Sequence, residues 1–185
     1  MINEIVKDTE EHMKKSVEHT HHEMAVIRTG RASPALLDGI KVDYYGSKVP
    51  LRQIANIGVP DARLIIVQPY DRSALASIEK AIQQSDIGLN PQSDGHILRL
   101  PIPTLTEERR RELVKYVHKL TEECRVAIRN IRRDANEMVK IMQKDHEISE
   151  DQEHDAYDRI QDMTNDYIKK IEDTLKRKEK EIMEE

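Results

Sequence analysis

The sequence predicts an α+β protein: an antiparallel three-helix bundle into which a small β/α/β domain is inserted. Three observations predict it. Long segments at both ends of the 185 residues repeat apolar or small side chains at steps of four and three. All seven prolines and all six glycines fall between Gly30 and Thr104. Charged residues make up 35% and aromatic ones 3%, with neither Trp nor Phe. That composition suits long helices that bury a narrow Leu/Ile/Val/Met seam and leave the rest in water. The division expected is residues 1–30 with 105–185 for the bundle, and 31–104 for the insert.

The first helix is expected from Ile2 to Ile27, with Val6, Thr9, Met13, Val17, Thr20 and Met24 between them on one stripe. Thr29-Gly30 stops it, glycine after a basic last turn being a favoured C-terminal signal. In the insert, Pro34 to Asp38 has the makings of one helical turn. Residues 40–45 alternate as a strand, Gly46-Ser47-Lys48 turns it, and Val49 to Ile57 is a candidate return. Arg63 to Gln68 is a β-branched run that suits a buried strand. Asp71 caps a helix that points Leu75, Ile78 and Ile82 inward, and residues 96–100 form the last strand.

Thr104 or Thr106 can cap the next helix, which carries Glu107 and Glu108 in its first turn, where the helix dipole favours acidic groups. Its seam is expected at Leu113, Val117, Leu120, Cys124, Ala127, Ile131, Ala135, Met138 and Met142, running to about Lys144, and in its middle Cys124, Ile128, Ile131 and Ala135 lie on the face a partner helix would cover. Ser149 to Gln152 is a capping box that opens a third helix. Its stripe is Tyr157, Ile160, Thr164, Tyr167, Ile168, Ile171, Leu175 and Ile182. The short link makes the second and third helices antiparallel neighbours, and the first completes the bundle. Two connections, holding Gly30 and Pro34 in one and Pro101 and Pro103 in the other, join the insert to it as a joint of limited freedom.

Several function classes recede. No nucleophile–base motif, phosphate loop or zinc signature occurs, so an enzyme acting alone is not expected, nor a cofactor or metal. His12, His19, His21 and His22 crowd the first helix, but nothing around them supplies a second shell for a metal. Cys124, the single cysteine, lies on the apolar seam and is expected as a buried structural thiol. No stretch matches a membrane span or a signal-peptide core, which points to a soluble cytoplasmic protein, expected as a monomer.

The net charge of −5 gives no global attraction to nucleic acid, but its distribution is uneven. Residues 106–144 carry 11 basic and 7 acidic side chains, and residues 149–185 carry 7 and 13. In the basic helix Arg125, Arg129 and Arg132 follow at i, i+4 and i+7, with Arg133 beside them. Arginine's planar fork grips phosphate with two parallel hydrogen bonds and never loses its charge. With few aromatics for stacking, such a row suits the backbone of folded RNA better than single strands. A solvated face paired with Glu122, Asp134 and Glu137 is the plain alternative. A coiled-coil scaffold, or a metal enzyme using the histidines, are the others.

Six motifs then carry a resemblance. Arg28-Thr29-Gly30-Arg31-Ala32-Ser33-Pro34, Val42-Asp43-Tyr44-Tyr45-Gly46, Leu51-Arg52-Gln53, Ser85 to Pro91, Leu105 to Arg110 and Arg129 to Asn136 resemble, in order, motifs of the bacterial ribosome recycling factor family. The resemblance implies an L-shaped molecule that enters the ribosome after termination. There, with elongation factor G and GTP, such a factor splits the ribosome into subunits and helps release messenger and transfer RNA. It implies that Arg129 and Arg132 touch large-subunit ribosomal RNA, and it puts Arg28 and Arg31 in a motif at the hinge. With Arg125 and Arg133 of the basic helix, these complete the RNA-binding candidates. Gly30, Arg31, Pro34, Pro101, Pro103 and Thr104 fall at the implied hinge. Two departures are visible: Thr104 stands where many relatives have proline, and the chain ends Glu184-Glu185 rather than on an apolar residue.

Overall fold

The apolar stripes become three long helices, α1 (Ile2–Ala25), α4 (Glu107–Lys144) and α5 (Glu150–Met183), in a computed structural model that describes residues 1–184. Glu185, half of the expected acidic end, lies outside the described residues. The chain forms two compact units, Met1–Met24 with Glu112–Met183, and Ala25–Arg111.

In the first unit the three helices share one core. Val6 of α1, Ala135 and Val139 of α4, and Ala156 and Ile160 of α5 pack in a single cluster. The α1 helix runs antiparallel to α4, since Ser16 meets Cys124 while Val6 meets Ala135 and Val139. It runs parallel to α5, with Asn3 bonded to Arg159 and Glu10 to Tyr167. The seams follow an eleven-residue repeat. In α4, Val117, Ile128 and Val139 recur at that interval, as do Leu113, Cys124 and Ala135. In α5, Ile160, Ile171 and Ile182 do the same. Eleven residues in three turns nearly match the straight α-helix, so these helices keep their seams inward without the left-handed coiling that a heptad imposes.

This phase keeps Ile128 on the covered face, as expected, and corrects the rest of the α4 seam. Ile128 and Val139 are fully buried, Ala127 and Ile131 are half-buried, and Met138 is 52% exposed. In α5, Ala156 is fully buried, while Tyr157 and Ile168 are only half-buried. Buried Thr9, Thr20, Thr121, Thr164 and Thr174 satisfy their hydroxyls by donating to the carbonyl four residues back.

The helix ends are chemically specified. Thr106 Oγ1 accepts from the Arg109 N–H at 3.2 Å, so Thr106 and not Thr104 caps α4. The α4 helix closes with the Glu147 N–H bonded to Met142 O and the His146 N–H to Gln143 O. His146 sits in the left-handed region at φ 58, so a histidine takes the place glycine usually holds in this motif. Ser149 and Gln152 then bond reciprocally, at 2.9 and 3.2 Å, as the expected capping box. The first helix ends at Ala25, two residues short of Ile27, and Thr29 beyond it is buried.

That unit has a two-stranded sheet, β1 (Lys41–Tyr44) with β2 (Ser47–Pro50), and a four-stranded sheet ordered β3-β4-β6-β5. The latter comprises β3 (Ala55–Asp61), β4 (Leu64–Pro69), β5 (Gln92–Ser93) and β6 (Leu98–Pro101), all antiparallel. Tyr45 (φ 47) and Gly46 (φ 81) both take the left-handed conformation that a two-residue hairpin turn demands. The return expected over Val49 to Ile57 is split, because Leu51–Ile54 forms a helical turn, α2. Leu51 and Ile54 are both buried, and three-residue spacing puts them on one face of a helix but on opposite faces of a strand. Asp71 caps a 3-10 turn, Arg72–Ala74, which runs into α3 (Leu75–Gln84). Ile78 and Ile82 of α3 pack with Ile65 and Val67 of β4 and Leu98 and Leu100 of β6. β5, two residues long, has no apolar signal in the sequence.

Candidate nucleic-acid interface

The arginines of α4 divide by what they touch. Arg125, whose side chain is 26% exposed, lies between two carboxylates, with Nη1 3.0 Å from Glu122 and Nη2 3.3 Å from Glu172 of α5. Its Nε is buried without a partner. It therefore ties α4 to α5. Arg129, four residues on, is 46% exposed and reaches back 2.6 Å to the other oxygen of Glu122. Hydrogen bonds from Arg125 and then Arg129 hold the Glu122 carboxyl below its ordinary range, so it keeps its charge. Arg132 donates to Gln161 of α5 at 3.3 Å, and Arg133 donates to Asn130 at 3.1 Å. Neither spends a full ion pair, so both keep charge for a ligand.

Arg129, Arg132, Arg133 and Lys140 line one groove of about 470 Å³ with Asn130, Asn136, Glu137 and Tyr157. The Tyr157 hydroxyl donates to Glu153 at 2.7 Å, and burial followed by that carboxylate pushes its pKa up to about 12. It thus stays neutral and adds no negative charge to the groove. Arg129 and Lys140 stand eleven residues apart, the interval of the buried seam, so they keep one face along the helix. Sequence reasoning missed Lys140 because it followed only arginines. It placed Tyr157 in the core, and it met Asn136 only as the last residue of the Arg129–Asn136 motif, without a role.

Of the other candidates, Arg28 and Arg31 belong to the second unit and not to this groove. Arg28 Nη1 donates to Gly88 O at a long 3.4 Å, and Arg31 is exposed. Gly30 has φ 80, where a side chain is strained. Pro34 opens a 3-10 turn, Pro34–Leu37, capped by Ser33, and Pro101 is the last residue of β6. The Ala32 N–H bonds Ala62 O at 2.7 Å and the Ile102 N–H bonds Arg63 O at 2.8 Å, so the chain is pinned on the inner side of each connection. Pro103 and Thr104 lie exposed beyond it.

Cys124 is buried, 3.7 Å from Ser16 O, and burial raises its pKa, which suits packing rather than nucleophilic work. Among the described residues no three His, Cys, Asp or Glu side chains converge as a metal site; His12 lies against Asp8, and His19 against Glu23. No helix among them is long and apolar enough to cross a membrane.

Comparison with known proteins places this architecture. The family model described as ribosome recycling factor matches residues 20–183. The ribosome-recycling factors of Syntrophomonas wolfei and Symbiobacterium thermophilum are each 55% identical over 184 residues, covering 100% of both chains. That of Bacillus pumilus is 51% identical over the same length. A solution structure of the ribosome recycling factor superimposes with a TM-score of 0.82 at 48% identity, over 98% of this chain and 97% of that one. A second neighbour comes from models of the T. thermophilus ribosome recycling factor and the E. coli elongation factor G bound to the E. coli post-termination complex. It has a TM-score of 0.72 and 48% identity, covering 99% of each chain. With the fold, the order of motifs and the full length in agreement, the chain belongs to the ribosome recycling factor family.

Proposed function

We propose that the chain acts as a ribosome recycling factor in the cytoplasm. It binds the post-termination ribosome and, with elongation factor G and GTP, promotes dissociation into subunits and release of messenger and transfer RNA. The observation that carries this, beyond family membership, is the α4 groove where Arg129, Arg132, Arg133 and Lys140 gather on a stiff helix. Guanidinium forks there bind phosphates of large-subunit ribosomal RNA, and the bundle behind them holds their spacing. Arg125 keeps the groove's two helices together, while Arg28 and Arg31 offer secondary contacts from the other unit.

The chain contributes binding and leverage, and GTP is hydrolysed by the elongation factor. Gly30, Arg31, Pro103 and Thr104 form the joint at the edges of the insert, residues 31–104, which lets it move as a body against the three-helix bundle. Pro34 and Pro101 stiffen its inner edge, and no cofactor takes part.

Light scattering of post-termination ribosomes tests the reading. Mixing them with the protein, elongation factor G and GTP gives a fall in scattering as subunits separate, and omitting any one of the three abolishes it. Splitting at the same rate without this protein refutes the proposal.

A further inference from the structure

The groove wall carries an acceptor that phosphate alone does not explain. Phosphate oxygens only accept hydrogen bonds, so a site built for them alone presents donors. Asn136 lies on the groove wall among Arg129, Arg133 and Lys140, yet its Oδ1 is closed off from water and has no donor in reach. Glu137 adds a second acceptor to the same wall. Native proteins carry few unbonded buried acceptors, since each forfeits its hydration. Asn136 is half-buried as a residue, and the last torsion of an asparagine is soft, so its carboxamide is free to turn toward the groove it lines. The RNA backbone has one donor to offer it, the ribose 2′-hydroxyl, and DNA has none.

We propose that this groove is a ribonucleotide subsite, in which Arg129, Arg133 and Lys140 take the flanking phosphates and the Asn136 carboxamide accepts a hydrogen bond from a ribose 2′-hydroxyl of ribosomal RNA. The inference rests on the RNA-binding reading above and sharpens it, because a row of cations alone grips any polyanion. Tyr157, its hydroxyl committed to Glu153, supplies an uncharged wall beside the sugar.

The test uses whole ribosomes saturated with protein, probed two ways: hydroxyl-radical cleavage for backbone contact and 2′-hydroxyl acylation for ribose contact. Wild-type protein protects a short stretch of large-subunit RNA in both. Asn136→Ala keeps its melting temperature, because it removes a group that bonds nothing in the free protein. It also keeps the cleavage footprint, and it restores acylation at one nucleotide, with affinity down about 5-fold, the size of one net hydrogen bond. Asn136→Asp, which retains an acceptor of the same shape, keeps that nucleotide protected at saturation. An acylation pattern identical in wild type and Asn136→Ala overturns the role of Asn136 while leaving RNA binding intact. A melting temperature lowered in Asn136→Ala also overturns it, since the amide then serves the fold. A wild-type protein with no footprint in either probe overturns the underlying reading instead.

Discussion

Arg125 and Arg132 share a side chain, a helix and a sequence pattern, and what separates them is the third helix. Arg125 reaches Glu172 of α5 as well as Glu122 of its own helix, so its charge is spent within the bundle. Arg132 meets only the neutral Gln161 and remains available. Arg125→Ala is therefore expected to destabilise the bundle by about 1 kcal/mol, a hydrogen-bonded charge discounted for its half-exposed partners. For a chain of this size that lowers the melting temperature by roughly 2–4 °C. Arg132→Ala is expected to stay within about 0.5 kcal/mol of wild type, as surface substitutions do. Thermal melts followed by circular dichroism decide it, and equal losses in the two variants would erase the distinction.

At the scale of the element, the eleven-residue repeat decides which side chains hold the bundle. Ile128→Ala should cost about 2–5 kcal/mol, as cavities in a packed core do. Met138→Ala, at a position half open to water, should cost no more than about 0.5 kcal/mol. Urea denaturation of both variants measures this, and a larger loss for Met138 would mean that the seam has been misplaced. The same residues mark what the sequence could tell. In α1 the steps of four and three led directly to Val6, Thr9, Met13, Thr20 and Met24, which are buried. In α4 the pairs Ala127–Ile128 and Met138–Val139 are each apolar at both positions, so hydrophobicity alone could not choose the phase. The straightness of the helix chooses it. The Ser149–Gln152 capping box was legible because its chemistry is local, and α4 ends at Lys144 as expected, although the left-handed residue that closes it is His146 where glycine is usual. The arginines of the groove were legible as chemistry. Asn136, Lys140 and Tyr157 were not, because the groove exists only once α5 lies beside α4 in register.

For the whole molecule the governing quantity is the uneven charge. A protein of net charge −5 meets a polyanion, so binding cannot come from its overall field and must come from a confined basic face. The outer positions of α5 reinforce this, with Asp155, Asp158, Asp162 and Asp166 all exposed. On the proposed reading, RNA that approaches that side is repelled, and RNA that approaches the groove of Arg129, Arg132, Arg133 and Lys140 is held. Each phosphate contact releases counterions, so affinity for the ribosome should fall steeply with salt, and removing a contacting arginine should flatten the dependence by about one unit of slope.

The most direct test is the affinity of the Arg129→Ala/Arg132→Ala double variant for ribosomes across a salt titration, beside its melting curve. The account predicts an intact bundle, binding weakened by about 10-fold or more per arginine at low salt, and a slope shallower by roughly two. Wild-type affinity with an unchanged slope would contradict it.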